Sequence, residues 1–185
     1  GLGDVYKRQE FEQRNDVTAE EYLEMIRLKT AVLLAASLKI GARLGGASVE
    51  DADRLYDFGM HIGVAFQLKD DLLDVYGNAK VFGKNIGGDI LCNKKTYMLI
   101  KALEHANADQ HNQLNSWINA ETFQPAEKIA AVTELYDRIG VKAVCENKIL
   151  EYSNRAMESL AAVSIAEEKK EELKKIIENL IHREV

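Results

Sequence analysis

Pro125 is the sole proline in this chain of 185 residues, and no other feature so narrows what the chain can become. Proline lacks the backbone donor that a helix interior needs and clashes with the preceding turn. A chain nearly free of it can run helix after helix, with glycine and capping residues left to set the ends. Thr18 with Glu21 is a capping box that opens a helix at about Ala19, and Gly45-Gly46 stops it after Leu44. Ser48 begins a second helix to about Tyr76, with Asp51 and Asp53 in the favourable field of its N-terminus. Residues 77–93 read as a loop, long enough for a compact domain to be functional or disordered. Helices are expected again over Lys94 to His105, Asp109 to Asn119, Pro125 to Ile139 and Val141 to Val163. A second capping box, Ser164 with Glu167, opens a last helix to about His182. There is no strand pattern, repeat or linker, so the expected class is all-α.

Two details bear on packing. Ala31 to Leu38 is apolar almost all round, which predicts burial in the middle of a bundle. Gly59 and Gly63 lie four apart on one helix face, where missing side chains let a neighbouring helix come close.

A net charge of −6 argues against a nucleic-acid surface. Cys92 and Cys145 are too few and too distant for a disulfide framework or a zinc site, which suits a reducing cytoplasm. No apolar run reaches the length of a membrane helix. The opening nine residues, Gly1 to Gln9, read as a non-native leader joined to a native segment near Glu10 or Phe11.

The chemistry gathers around Phe66-Gln67-Leu68-Lys69-Asp70-Asp71-Leu72-Leu73-Asp74. On a helix Asp70 and Asp74 share a face, and Asp71 lies about 100° round from Asp70. Phe66, Leu72 and Leu73 set these acids beside a core. Three like charges so close are favourable when a divalent cation neutralises them, and carboxylates without Cys or His suit magnesium completed by phosphate oxygens. The bland alternative is a solvated acidic face. Behind the acids, the stretch from Gly77 to Thr96 holds Lys80, Lys84, Lys94 and Lys95 against Asp89 alone. Its glycines let backbone amides approach an anion. It is a solvated basic loop or an anion-holding one, and it lacks the Ser or Thr of a P-loop. Lys29 enters the apolar helix section, where burial requires a partner, either an acid such as Asp70 or a phosphate. Thr30 and Gln67 add a hydroxyl and an amide. Tyr22, Trp117 and Tyr136 read as packing, and the four histidines as surface or core groups.

In combination these stretches resemble the trans-isoprenyl diphosphate synthases, the polyprenyl synthetases. Residues 66–74 look like the family's second aspartate-rich motif, and Lys29-Thr30 like its Lys-Thr pair. Gly83-Lys84-x-x-Gly87-x-Asp89-Ile90 followed by Asn93-Lys94 looks like its lysine-bearing loop. The resemblance implies an all-α bundle of the isoprenoid synthase type, a homodimer and a magnesium cofactor. It also implies condensation of an allylic prenyl diphosphate with isopentenyl diphosphate, with release of diphosphate. By the same resemblance Asp70, Asp71 and Asp74 hold the metal. Lys29, Thr30, Gln67, Lys84 and Lys94 contact the allylic diphosphate, with Asp70, Asp71, Lys29 and Lys84 the catalytic set.

The family's first aspartate-rich motif and its Gly-Lys-Arg site are not found in this sequence. The resemblance therefore implies residues 10–185 as the C-terminal part of one synthase domain, with N-terminal helices missing and no activity by itself. Such a segment is expected to expose an apolar patch and to associate. A non-catalytic partner or regulatory subunit is the rival reading. A terpene cyclase fits less well because Lys84 and Lys94 match the synthases.

Overall fold

The computed structural model describes residues 14, 16–78 and 86–182. The expected leader, Lys80, Gly83 and Lys84 lie outside the described residues. In chain order the elements are α1 (Ala19–Ile26), a π-helical turn (Arg27–Ala31), α2 (Val32–Leu44), α3 (Val49–Tyr76), α4 (Gly88–Leu91), α5 (Tyr97–His105), α6 (Ala108–Ile118), α7 (Pro125–Ile139), α8 (Val141–Ala161), a 3-10 turn (Glu167–Lys169) and α9 (Glu171–His182). Among the described residues there is no strand, in keeping with the expected all-α class. The chain divides into two units, Gly1–Tyr22 with Asp71–Val144 and Leu23–Asp70 with Cys145–Val185. Helix α3 contributes to both, and the division falls between Asp70 and Asp71.

In the first unit α7 packs against α4, α5 and α6. Leu72, Leu73, Ile90, Met98, Leu114, Val132 and Leu135 are buried there. The Thr18–Glu21 capping box forms as expected, Glu21 N donating to Thr18 Oγ1 and Thr18 N to Glu21 Oε2. Helix α5 starts three residues later than Lys94, because the Thr96 hydroxyl caps it by accepting from Leu99 N. Helix α6 is opened by an Asn107–Gln110 capping box that the sequence reading passed over.

In the second unit Phe58, Ile62 and Ala65 of α3 meet Ala156 and Leu160 of α8 and Ile177 and Leu180 of α9. The two glycines act as their spacing predicts. A Cβ added at Gly59 or Gly63 would stand 2.6 Å from the Cα of Ala35 or Ala31, so backbones touch where side chains would hold them apart. One expectation is met here and one is corrected. Ala31 to Leu38 is covered on one side in this segment: Ala31 and Ala35 are fully buried, whereas Leu33 is 74% exposed. With Leu28, Ile40 and Leu44 it forms the apolar exposure expected of the segment. Ser164 does not open the last helix, because its amide donates to Asp51 Oδ1 at 2.9 Å and a 3-10 turn precedes Glu171.

Candidate active site

The second unit carries Lys29, Thr30, Gln67 and Asp70. Lys29 and Thr30 sit within the π turn Arg27–Ala31, a form of helix that widens one turn and re-aims its side chains. The Thr30 hydroxyl donates to Gln67 Oε1 at 3.3 Å, so the hydroxyl and amide named from the sequence meet. Lys29 is exposed and forms no ion pair among the described residues. The expectation that burial forces a partner on it is therefore corrected: it leaves the apolar helix on the solvent side. Phe66 likewise faces outward rather than into the core. Asp70 is half-buried and has no hydrogen bond or ion pair among the described residues.

The first unit holds a tight polar network at the C-terminal end of α3. Asp71 is only 1% exposed. It falls on the buried stripe Val64, Leu68, Asp71, Val75, spaced as one helix face. The Tyr22 hydroxyl donates to Asp71 Oδ2, and Lys94 Nζ reaches Asp71 Oδ1 at 3.2 Å and Asp89 Oδ2 at 2.7 Å. Burial raises the Asp71 carboxyl to about 6, against the opposing pull of Lys94 and the Tyr22 hydroxyl. Burial alone would lower the Lys94 amine, but the charge of Asp71 and the hydrogen bond to Asp89 outweigh it and raise the amine above its ordinary value.

Asp74 is fixed by the returning loop. Its Oδ2 accepts from Asp89 N at 2.8 Å, and its backbone carbonyl accepts from Gly87 N at 2.6 Å. Gly87 has φ 85°, and a Cβ there would strike Ile129, so this return needs glycine. The loop that looked irregular thus contains the four-residue helix α4 and is tied back to the end of α3.

Tyr22 and Asp89 are the network members that sequence reasoning missed. Tyr22 does pack, as read, yet its hydroxyl also serves Asp71. Asp89 stands in the sequence as the single acid of a basic stretch and within the lysine-bearing loop, with no partner assigned to it.

For a metal, the described residues bring no three carboxylate, imidazole or thiol groups together as a ready cage. Asp71 has its oxygens committed to Tyr22 and Lys94. Asp70 remains a hard oxygen donor with no competing partner, which fits magnesium bound through one or two carboxylates and finished by water and phosphate oxygens.

Comparison with known proteins extends this picture. The sequence model described as polyprenyl synthetase matches residues 2–136. A short chain isoprenyl diphosphate synthase of Methanothermobacter thermautotrophicus is 37% identical over 174 residues, 94% of this chain and 52% of that protein. A (2E,6E)-farnesyl diphosphate synthase of Mycobacterium bovis is 32% identical over 177 residues, 94% of this chain and 49% of that protein. The chain thus spans about half the length of the curated relatives it matches. A crystal structure of a geranylgeranyl pyrophosphate synthase superimposes with a TM-score of 0.89 and 35% identity, over 100% of this chain and 58% of that one. Another, from Corynebacterium glutamicum and complexed with isoprenyl diphosphate and magnesium, gives 0.83 and 30%, over 98% of this chain and 50% of that one.

Proposed function

Since the chain belongs to the polyprenyl synthetase family, we propose that it is the C-terminal part of a magnesium-dependent prenyltransferase. The full-length enzyme condenses an allylic prenyl diphosphate with isopentenyl diphosphate to a longer trans-prenyl diphosphate. The observation that carries this reading is the division of labour at the end of α3, where Asp70 is left available while Asp71 is engaged by Tyr22 and Lys94. Asp70 is the principal metal anchor, Asp74 lies on the same helix face one turn on, and Asp71 supports Lys94. Bound magnesium supplies neutralisation of the diphosphate charge that grows as the allylic C–O bond breaks.

This chain's own residues bind and orient the leaving group. Lys94 is held with its ammonium fixed before any substrate arrives, so little reorganisation is needed as charge develops. Lys29 is solvent-facing and long enough to close on a phosphate, Thr30 and Gln67 offer hydrogen bonds, and Lys84 is assigned the same task from its place in the motif. A homodimer in the full-length form is assigned from membership of the family. The free thiols Cys92 and Cys145 support a reducing, cytoplasmic setting. The chain alone is taken to be inactive.

The test is Asp70→Ala in the full-length protein, assayed with an allylic diphosphate, isopentenyl diphosphate and magnesium. Turnover should fall by about a hundredfold or more, the scale of losing one preorganised electrostatic group, with helicity unchanged by circular dichroism. Near-normal turnover would remove Asp70 from the site. A wild-type protein that binds a partner but turns nothing over would favour the regulatory-subunit reading.

A further inference from the structure

Lys128 of α7 is 1% exposed, an unusual place for a lysine without a carboxylate. Among the described residues it forms no ion pair; its Nζ donates to Asn93 Oδ1 at 2.7 Å and stands 4.2 Å from the centroid of the Phe123 ring. Burial lowers the pKa of its amine. An apolar side chain of the same length would fill this position without that penalty. The lysine therefore answers some other demand, and Asn93 supplies one.

Asn93 is the single non-glycine with positive φ among the described residues, at 51°. Its side chain is held at both ends, Oδ1 by Lys128 and Nδ2 by donation to the Ile118 carbonyl at 2.9 Å. The next residue is Lys94, whose amide donates to Asp89 O at 2.9 Å and whose carbonyl accepts from Thr96 N at 2.8 Å. Asp89, Asn93, Lys94 and Lys128 also line one cavity of about 20 Å³, room for roughly one water. The direction in which Lys94 leaves the backbone is thus set by a left-handed residue whose carboxamide is gripped from α7.

We propose that Lys128 is a positioning residue: by holding Asn93 in its left-handed turn, it fixes where the Lys94 ammonium stands against Asp71 and Asp89. The inference rests on the reading of Lys94 as a diphosphate contact. Lys128 itself touches no reacting group. With methionine at 128 the core stays filled, but Asn93 Oδ1 loses its donor and the turn can relax toward right-handed backbone. Lys94 would then be spread over several positions.

The test uses Lys128→Met, Asn93→Gly and Lys94→Ala, singly and in pairs, in the full-length enzyme, with amide exchange followed on each folded protein. Asn93→Gly keeps the left-handed backbone easy but deletes the carboxamide, so it reports on the same link if Lys128→Met folds poorly. Lys128→Met is expected to raise KM for the allylic diphosphate about tenfold, within the coupling range of residues in one network. KM for isopentenyl diphosphate should change little, and no further loss should appear on the Lys94→Ala background. Amide exchange at residues 93–96 should quicken about tenfold while that in Val141–Ala161 stays as in wild type. Additive losses with Lys94→Ala, or exchange quickened alike through α5, α6 and α7, would overturn the proposal and leave Lys128 as core packing. If Lys94→Ala alone leaves the kinetics intact, the diphosphate role of Lys94 fails. The exchange pattern still decides whether Lys128 positions the turn.

Discussion

Asp70 and Asp71 are neighbours in sequence, yet they meet opposite surroundings. Asp71 belongs to the unit in which each described site group is fixed: Asp71 by Tyr22 and Lys94, Lys94 by two carboxylates, and Asp74 by the amide of Asp89. Asp70 belongs to the unit in which Lys29 and Asp70 have no hydrogen bond or ion pair among the described residues and Thr30 and Gln67 share one hydrogen bond. A buried charge has to be satisfied where it lies, so the first unit spends its polar groups on one another. An open charge keeps its capacity for a ligand. Substitutions of the site groups in the first unit should therefore show in stability as well as in function, and those of the open site groups Lys29 and Asp70 in the second in function alone.

Tyr22→Phe is the strongest stability test of that contrast outside the proposed catalytic groups. It removes one hydroxyl and keeps the ring that α1 packs, leaving Asp71 Oδ2 buried without its donor. A buried acceptor stripped of its partner costs about 1–3 kcal/mol. Urea unfolding of the variant should show an unfolding free energy lower by that amount, seen as a lower midpoint with an unchanged slope. A midpoint equal to wild type would mean that water replaces the hydroxyl freely and that Asp71 is less enclosed than its exposure indicates.

The same contrast marks what the sequence made legible. Helix positions were readable because capping pairs and glycines punctuate a chain almost without proline, and α3 was placed at both ends. Asp71's burial is readable, since Val64, Leu68, Asp71 and Val75 follow one helix face, although three acids so close in sequence equally suit one open metal-facing group. Tyr22 was not readable as a partner, because it lies 49 residues before Asp71 and no local pattern encodes a contact that tertiary packing makes. Lys128 carries no local signal that sets it apart from the other charged residues of its helix. Its burial depends on Asn93 and Phe123, neither of which announces a binding partner. The apolar run at Ala31 to Leu38 is legible from both sides: Ala31 and Ala35 pack closely against glycines, and the leucine face that its composition marks for burial is exposed in this segment.

On the open side, Lys29→Ala should leave stability within about 0.5 kcal/mol of wild type, as expected for an exposed residue with no partner to lose. In the full-length enzyme it should raise KM for the allylic diphosphate, and added inorganic diphosphate should compete less effectively. A loss of stability as large as that of Tyr22→Phe would erase the contrast between the units. Unchanged stability with unchanged KM would keep the contrast but leave Lys29 as a solvated residue.

The smallest effect concerns pH and lies in the second unit. His61 is half-buried in α3, with Tyr152 6.1 Å away between ring centroids. Burial holds its pKa below the usual 6.5 and Arg155 pushes the same way, while Asp57 and Glu158 oppose them. The folded protein therefore binds a proton at His61 less readily than the unfolded chain does. This group's share of stability is fully present above pH 6.5, and it is lost as the pH falls from there through the lowered folded value. His61→Phe keeps a ring against Tyr152 and removes the titration. The stability of wild type relative to this variant should drop as the pH falls from 7.5 to 5. Calorimetry of both proteins across that range reads the difference directly. No relative drop, or a relative gain, would mean that Asp57 and Glu158 outweigh burial at His61 and that the second unit holds a paired charge after all.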